Sequence, residues 1–158
     1  MSLRVLALTL TLVSLVLAAC TPSEAQLTRS ELRQDPAASL VPPGAEALGV
    51  HSGDEYHMTI DGESYAYETS LYRTRSGASS VIAYYSERLR ASGWQSPYDG
   101  ARTTDETQVF GWCKGRMEFR LGIRDPRAPM NRKFFAGGYP TVFETMLAGR
   151  DTKVACPG

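Results

Sequence analysis

The chain has 158 residues, with 17 basic and 17 acidic side chains and a formal net charge of zero. That balance excludes the basic excess on which general nucleic-acid binding depends, so no nucleic-acid partner is expected. Three cysteines and two histidines, widely spread, lack the paired short intervals of a zinc site. The length suits a single folded domain carrying a leader and a tether.

The first predicted element is the leader. Arg4 is the only charge ahead of an apolar run over residues 5–19, relieved by Thr9, Thr11 and Ser14, which is the pattern of an export signal. At about 15 residues the run falls short of the roughly 20 that a helix needs to cross a bilayer. It ends in Leu17-Ala18-Ala19-Cys20, which resembles the lipobox of bacterial lipoproteins. The resemblance implies that the Cys20 thiol receives a diacylglycerol and that the signal, residues 1–19, is removed. A thiolate is the right nucleophile for that thioether, and two or three acyl chains make attachment to membrane lipid effectively permanent. The domain is then extracytoplasmic. Thr21, where an aspartate often retains lipoproteins in the inner membrane, implies the outer membrane if the host has one. The alternative is an ordinary cleaved signal with a cysteine at its border.

Residues 20–40 are polar apart from a few positions such as Leu27 and Leu32. They read as the lipidated cysteine and a flexible tether, with one transient helical turn around residues 27–33. Pro42-Pro43-Gly44 marks the entrance to the folded part, residues 41–158. A hairpin comes next, over residues 55–73. Asp61-Gly62 suits a two-residue turn, which would oppose Tyr56 to Tyr67, Met58 to Tyr65 and His57 to Ala66. Tyr67, Thr69 and Leu71 then point to the core.

The clearest helix spans residues 78–92, with Ala78, Val81, Ile82, Tyr85 and Leu89 on one face. Ser76 is a candidate N-cap, and Gly93-Trp94 suits a Schellman closure with Trp94 against Leu89. Three strands complete the chain, over residues 109–114, 117–124 and 141–148. The second alternates Met117, Phe119, Leu121 and Ile123 inward; the third carries Phe143 and Leu147 on one face. The fold class is α+β, a small antiparallel sheet of about five strands with one main helix on one face. Tyr84, Tyr85, Leu89 and Gly93-Trp94, behind the Pro-Pro-Gly entrance, resemble small uncharacterised domains of exported bacterial proteins. In those domains a helix ending in Gly-Trp packs on a sheet. The resemblance covers residues 41–124 and implies a fold but no activity.

Cys113 and Cys156, in an exported domain, are expected to form a disulfide. Closing that loop stabilises the fold by about 4 kcal/mol on the chain-entropy estimate. Two separate thiols, or one metal pair, are the alternatives. Enzyme signatures such as a Gly-x-Ser-x-Gly elbow, a phosphate loop or His-Glu-x-x-His are missing. His51 and His57, with Asp54 or Glu55, are a weak metal set, and no cofactor or metal is expected. The tyrosines are explained first as core or edge packing.

The segment 125–140 is long for a strand connection and sets Arg127, Arg132 and Lys133, next to Arg124, beside Phe134, Phe135 and Tyr139. Guanidinium groups recognise carboxylates, and aromatics supply contact area. This is the candidate binding surface for an envelope protein, another acidic partner or anionic head groups. The competing expectation is a surface loop whose phenylalanines fold back onto the core. The functional expectation is a membrane-anchored lipoprotein with a non-catalytic binding or structural domain; the alternative is a small extracytoplasmic hydrolase assembled from distant residues.

Overall fold

The computed structural model describes residues 27–53, 65–96, 102–150 and 156. The chain forms α1 (Arg29–Gln34), a 3-10 helix (Pro36–Ser39), β1 (Glu46–Gly53), β2 (Tyr67–Thr74), α2 (Ala78–Ala91), β3 (Arg102–Thr103), β4 (Thr107–Lys114), β5 (Met117–Arg124), a second 3-10 helix (Pro129–Phe135) and β6 (Thr141–Gly149). The strands make one six-stranded sheet in the order β1-β2-β6-β5-β4-β3, antiparallel throughout. The fold is therefore α+β, with six strands where five were expected.

Helix α2 forms where the apolar spacing places it. Val81, Tyr85 and Leu89 are buried, and Ala78 and Ile82 pack beside them. Its N-cap is Gly77, with no side-chain cap bond, so Ser76 is not the cap; the Ser76 carbonyl instead accepts from the Thr141 hydroxyl at 2.8 Å. The C-terminus closes as a Schellman motif. The Gly93 amide donates to the Arg90 carbonyl and the Trp94 amide to the Leu89 carbonyl, each at 3.0 Å, and Gly93 takes the left-handed φ of 81°. Trp94 then reaches Phe119 edge-on, with ring centroids 6.2 Å apart.

The folded part begins earlier than the Pro-Pro-Gly signal suggested. Residues 27–40 do not form a tether. Thr28 and Glu31 make a reciprocal capping box at the start of α1, and Asp35 caps the 3-10 helix through the Ala37 amide at 2.9 Å. Leu32, 1% exposed, and Ala37 lie in the same core as α2. Two tyrosines of α2 fasten the chain just past the 3-10 helix: Tyr85 donates to the Leu40 carbonyl and Tyr84 to the Val41 carbonyl, each at 3.0 Å. Burial pushes the Tyr85 hydroxyl pKa up, so it stays a donor at ordinary pH.

The hairpin register differs from expectation. Tyr67 pairs with Gly53, Glu68 with Ser52 and Thr69 with His51, an offset of three residues from the Tyr56–Tyr67 pairing. An odd offset moves the β1 side chains to the opposite face relative to β2, and pairing with β6 sets which face of β2 meets α2. Tyr72, Ser70 and Thr74, rather than Tyr67, Thr69 and Leu71, share the helix side with Phe143, Thr145 and Thr141 of β6. Two contacts favour this solution. The Tyr72 ring stacks on Phe143 at 5.2 Å, and the Tyr67 ring lies over Gly53, where a Cβ would come within 2.6 Å of it. The expected partners Tyr56, His57 and Met58, and the Asp61-Gly62 turn, lie outside the described residues.

Strands β4 and β5 match the expected alternation closely: Phe119, Leu121 and Ile123 are buried and Met117 is partly so. Gly115 occupies the turn with φ 55°. Cys113 and Cys156 are bonded, with Cα atoms 5.9 Å apart. The Arg150 guanidinium donates to Cys156 Sγ at 3.2 Å. On β6, Phe143 and Leu147 are buried in the core, as their spacing predicted. What sequence order hides is that this last strand fills the middle of the sheet.

Candidate functional site

The segment after β5 is organised by one side chain, Asn131, which is 0% exposed. Its amide nitrogen donates to the Glu106 carbonyl at 2.9 Å and the Asp125 carbonyl at 3.0 Å. Its oxygen accepts from Arg124 Nη1 at 3.1 Å. Pro129 starts the 3-10 helix without needing an amide donor, and the Asn131 amide closes on the Ala128 carbonyl at 3.0 Å. The loop is thus tied to the β4 entrance and to the end of β5.

Arg124 is held from a second side. Glu144 of β6, on the sheet face away from α2, is paired with Gly122, and its carboxylate bonds Arg124 Nη2. Gly122 makes that route open: a Cβ there would meet Glu144 Cγ at 3.1 Å and Thr107 Cγ2 at 3.0 Å. A guanidinium fixed by a carboxylate and an amide loses little freedom when it meets a ligand.

Above Arg124 is a surface cleft of about 480 Å³ lined by Arg124, Pro129, Met130, Lys133 and Phe134. The Phe134 ring is its wall, with Lys133 Nζ 4.9 Å and Arg124 Cζ 5.2 Å from the ring centroid, both within cation–π range. Met130 projects to solvent at 66% exposure. Arg132 and Lys133 are exposed, and neither is ion-paired among the described residues. The cleft therefore sets apolar Pro129, Met130 and Phe134 beside the fixed Arg124 guanidinium and the Lys133 ammonium.

The expected binding residues do not all meet here. Lys133 and Phe134 line the cleft, and Arg132 lies beside them in sequence. Phe135 is half-buried outside the lining set. Arg127 is turned aside: its guanidinium bonds both oxygens of Asp125, at 3.1 and 2.9 Å, and that contact holds the Asp125 carboxyl below the usual carboxylate range. Tyr139 belongs to another cluster. Gly137 and Gly138, with φ 86° and 75°, redirect the chain so that the Tyr139 hydroxyl donates to Glu46 Oε1 at 2.5 Å. Arg73 and Arg75 lie 4.2 and 4.8 Å from its ring centroid. The Tyr139 bond, and after it Arg73, lower the Glu46 pKa.

Sequence reasoning missed Asn131, Glu144, Gly122 and Met130. Glu144 carried a signal, an acid inside the otherwise uncharged strand Thr141–Gly149; Asn131 carried none. Among the described residues no three His, Cys, Asp or Glu side chains are grouped to hold a metal ion. No helix there is long and apolar enough to cross a membrane. His51 is exposed on the edge strand β1, while His57, Asp54 and Glu55 lie outside the described residues. Comparison with known proteins found no matching family model, no matching curated protein and no matching solved structure.

Proposed function

We propose that the chain is a bacterial lipoprotein acylated at Cys20, held on the outer face of a membrane, whose domain binds rather than catalyses. Its ligand is an acidic segment of an envelope protein that also carries an apolar side chain. The observation that supports this most is the cleft's composition: exposed Met130 and the Phe134 ring beside Lys133 and the fixed Arg124 guanidinium. Such a surface rewards a carboxylate next to an aliphatic or aromatic group. The lining set has no nucleophile beside a base, which favours binding over the hydrolase alternative. Leu17-Ala18-Ala19-Cys20 supports the anchor.

Two measurements test the two halves. Intact mass of protein from its native host is expected to show a first residue Cys20 carrying acyl mass; an unacylated product ends the anchor reading. Affinity capture from envelope extracts, with wild type against Arg132→Glu/Lys133→Glu and against Met130→Asp, tests the cleft. Both variants are expected to fold normally and lose the captured partner, and undiminished capture by both would end the binding reading.

A further inference from the structure

The distance between the anchor and the folded domain is short. Leu27 already packs into the fold: its Cβ lies 3.8 Å from where a Cβ on Gly149 would sit. Thr28 starts a capped helix whose Leu32 is buried. Only seven residue steps separate Cys20 from Leu27. Whatever path they take, they reach at most about 25 Å.

The sheet has two ends. Because every strand pair is antiparallel, β1 ends, β2 begins, β4 ends, β5 begins and β6 ends together, at Gly53, Tyr67, Lys114, Met117 and Gly149. Leu27 joins this end, beside Gly149. The Arg124 cleft is at the other, with Thr107 and Thr141. The nine residues of β6 separate the two ends by about 27 Å. A leash of about 25 Å holds the first end within that distance of the bilayer, while the second end can stand about 27 Å further out.

We propose that this leash acts as a ruler. It lays the Lys114, Met117 and Gly149 end of the sheet against the bilayer and turns the Arg124 cleft outward. The cleft's ligand is then an acidic protein segment presented within about 50 Å of that bilayer, and not the head groups of the bilayer itself. The inference rests on the acylation of Cys20 proposed above.

The test uses full-length acylated protein in phosphatidylethanolamine/phosphatidylglycerol vesicles containing a nitroxide head-group lipid. A fluorophore is placed at one introduced cysteine: Ser30→Cys or Arg116→Cys at the near end, Asp105→Cys at the far end. Both near labels are expected to be quenched and the far label spared. A Gly/Ser spacer of about 20 residues inserted after Gln26 should abolish that difference. Quenching of the far label equal to the near ones, in protein whose acyl mass is confirmed, overturns the orientation alone. Absence of acyl mass from the native product overturns the anchor on which it stands. Two near-end positions guard against one substitution disturbing the fold.

Discussion

The Glu144 side chain crosses the bare backbone of Gly122 to reach Arg124, so a glycine in the middle of β5 decides whether the cleft's guanidinium is held from below. Gly122→Ala puts a methyl at 3.0–3.1 Å from Thr107 and Glu144 carbons, closer than side-chain carbons ordinarily approach. A loss of about 1–3 kcal/mol is expected from urea unfolding. Partner capture should weaken as Arg124 is freed; unchanged stability would show that Glu144 moves aside without cost.

Asn131 is the counterpart on the loop side. Asn131→Ala removes two donors and one acceptor from a site closed to water, and a loss of about 2–3 kcal/mol is expected. Limited proteolysis should then cut within residues 129–135 faster than elsewhere. An equal cleavage rate in wild type and variant would show that the loop is held by other contacts.

The true start of the domain is checked by truncation and by one core change. Removing residues 21–40, which include the buried Leu32 and Ala37, should not yield a stable fold. Leu32→Ala, at a site 1% exposed, is expected to cost about 2–5 kcal/mol.

The disulfide gives a further measurement. Cys113→Ala/Cys156→Ala is expected to lower stability by about 4 kcal/mol, read as a fall in the denaturant midpoint with a rise in m, because the unfolded chain without its cross-link exposes more surface. The Trp112–Phe119 packing next to it, with centroids 6.2 Å apart, should persist, so near-ultraviolet dichroism keeps its shape below the transition.

Glu118 supplies a pH dependence of unusual sign. Burial raises its pKa, with Arg120 opposing. Arg120 Nη2 lies 3.0 Å from Glu118 Oε1, but off the hydrogen-bonding direction, leaving that oxygen without a bond among the described residues. A raised folded pKa means that the native state binds more protons than the unfolded chain between the two values. This group's contribution is therefore fully present below the ordinary carboxylate range and is lost as pH climbs through the folded value. Glu118→Gln is expected to match or exceed wild type at neutral pH, the difference shrinking as pH falls through 4.5. A variant less stable at neutral pH than wild type would show that the Arg120 contact outweighs burial.

The parts of the fold that sequence could show are those decided by near neighbours. The Gly93-Trp94 cap depends on residues within one helical turn, and the alternation of Met117–Arg124 is carried by that strand alone. The β1–β2 register was different: Tyr65, Tyr67 and Leu71 made one face look apolar, but Tyr72 finds Phe143 from a strand about 70 residues later, and that contact reverses the assignment. Leu32 sat in a mostly polar run, with nothing local to reveal that its helix packs on β2 and β6 and carries it into the core. In the loop the charges and aromatics were visible as composition. Their division into a cleft and a Tyr139 cluster depends on the turn at Gly137 and Gly138 and on carbonyls of Glu106 and Asp125 that no pattern announces.

The placement of β6 between β2 and β5 has a kinetic meaning. Until it inserts, β1–β2 and β4–β5 are separate ribbons, each with an open rim of amides and carbonyls and no shared interior. A chain synthesised from its N-terminus thus completes the six-stranded sheet only when residue 149 is free to enter. Commitment to the complete sheet comes in one late step.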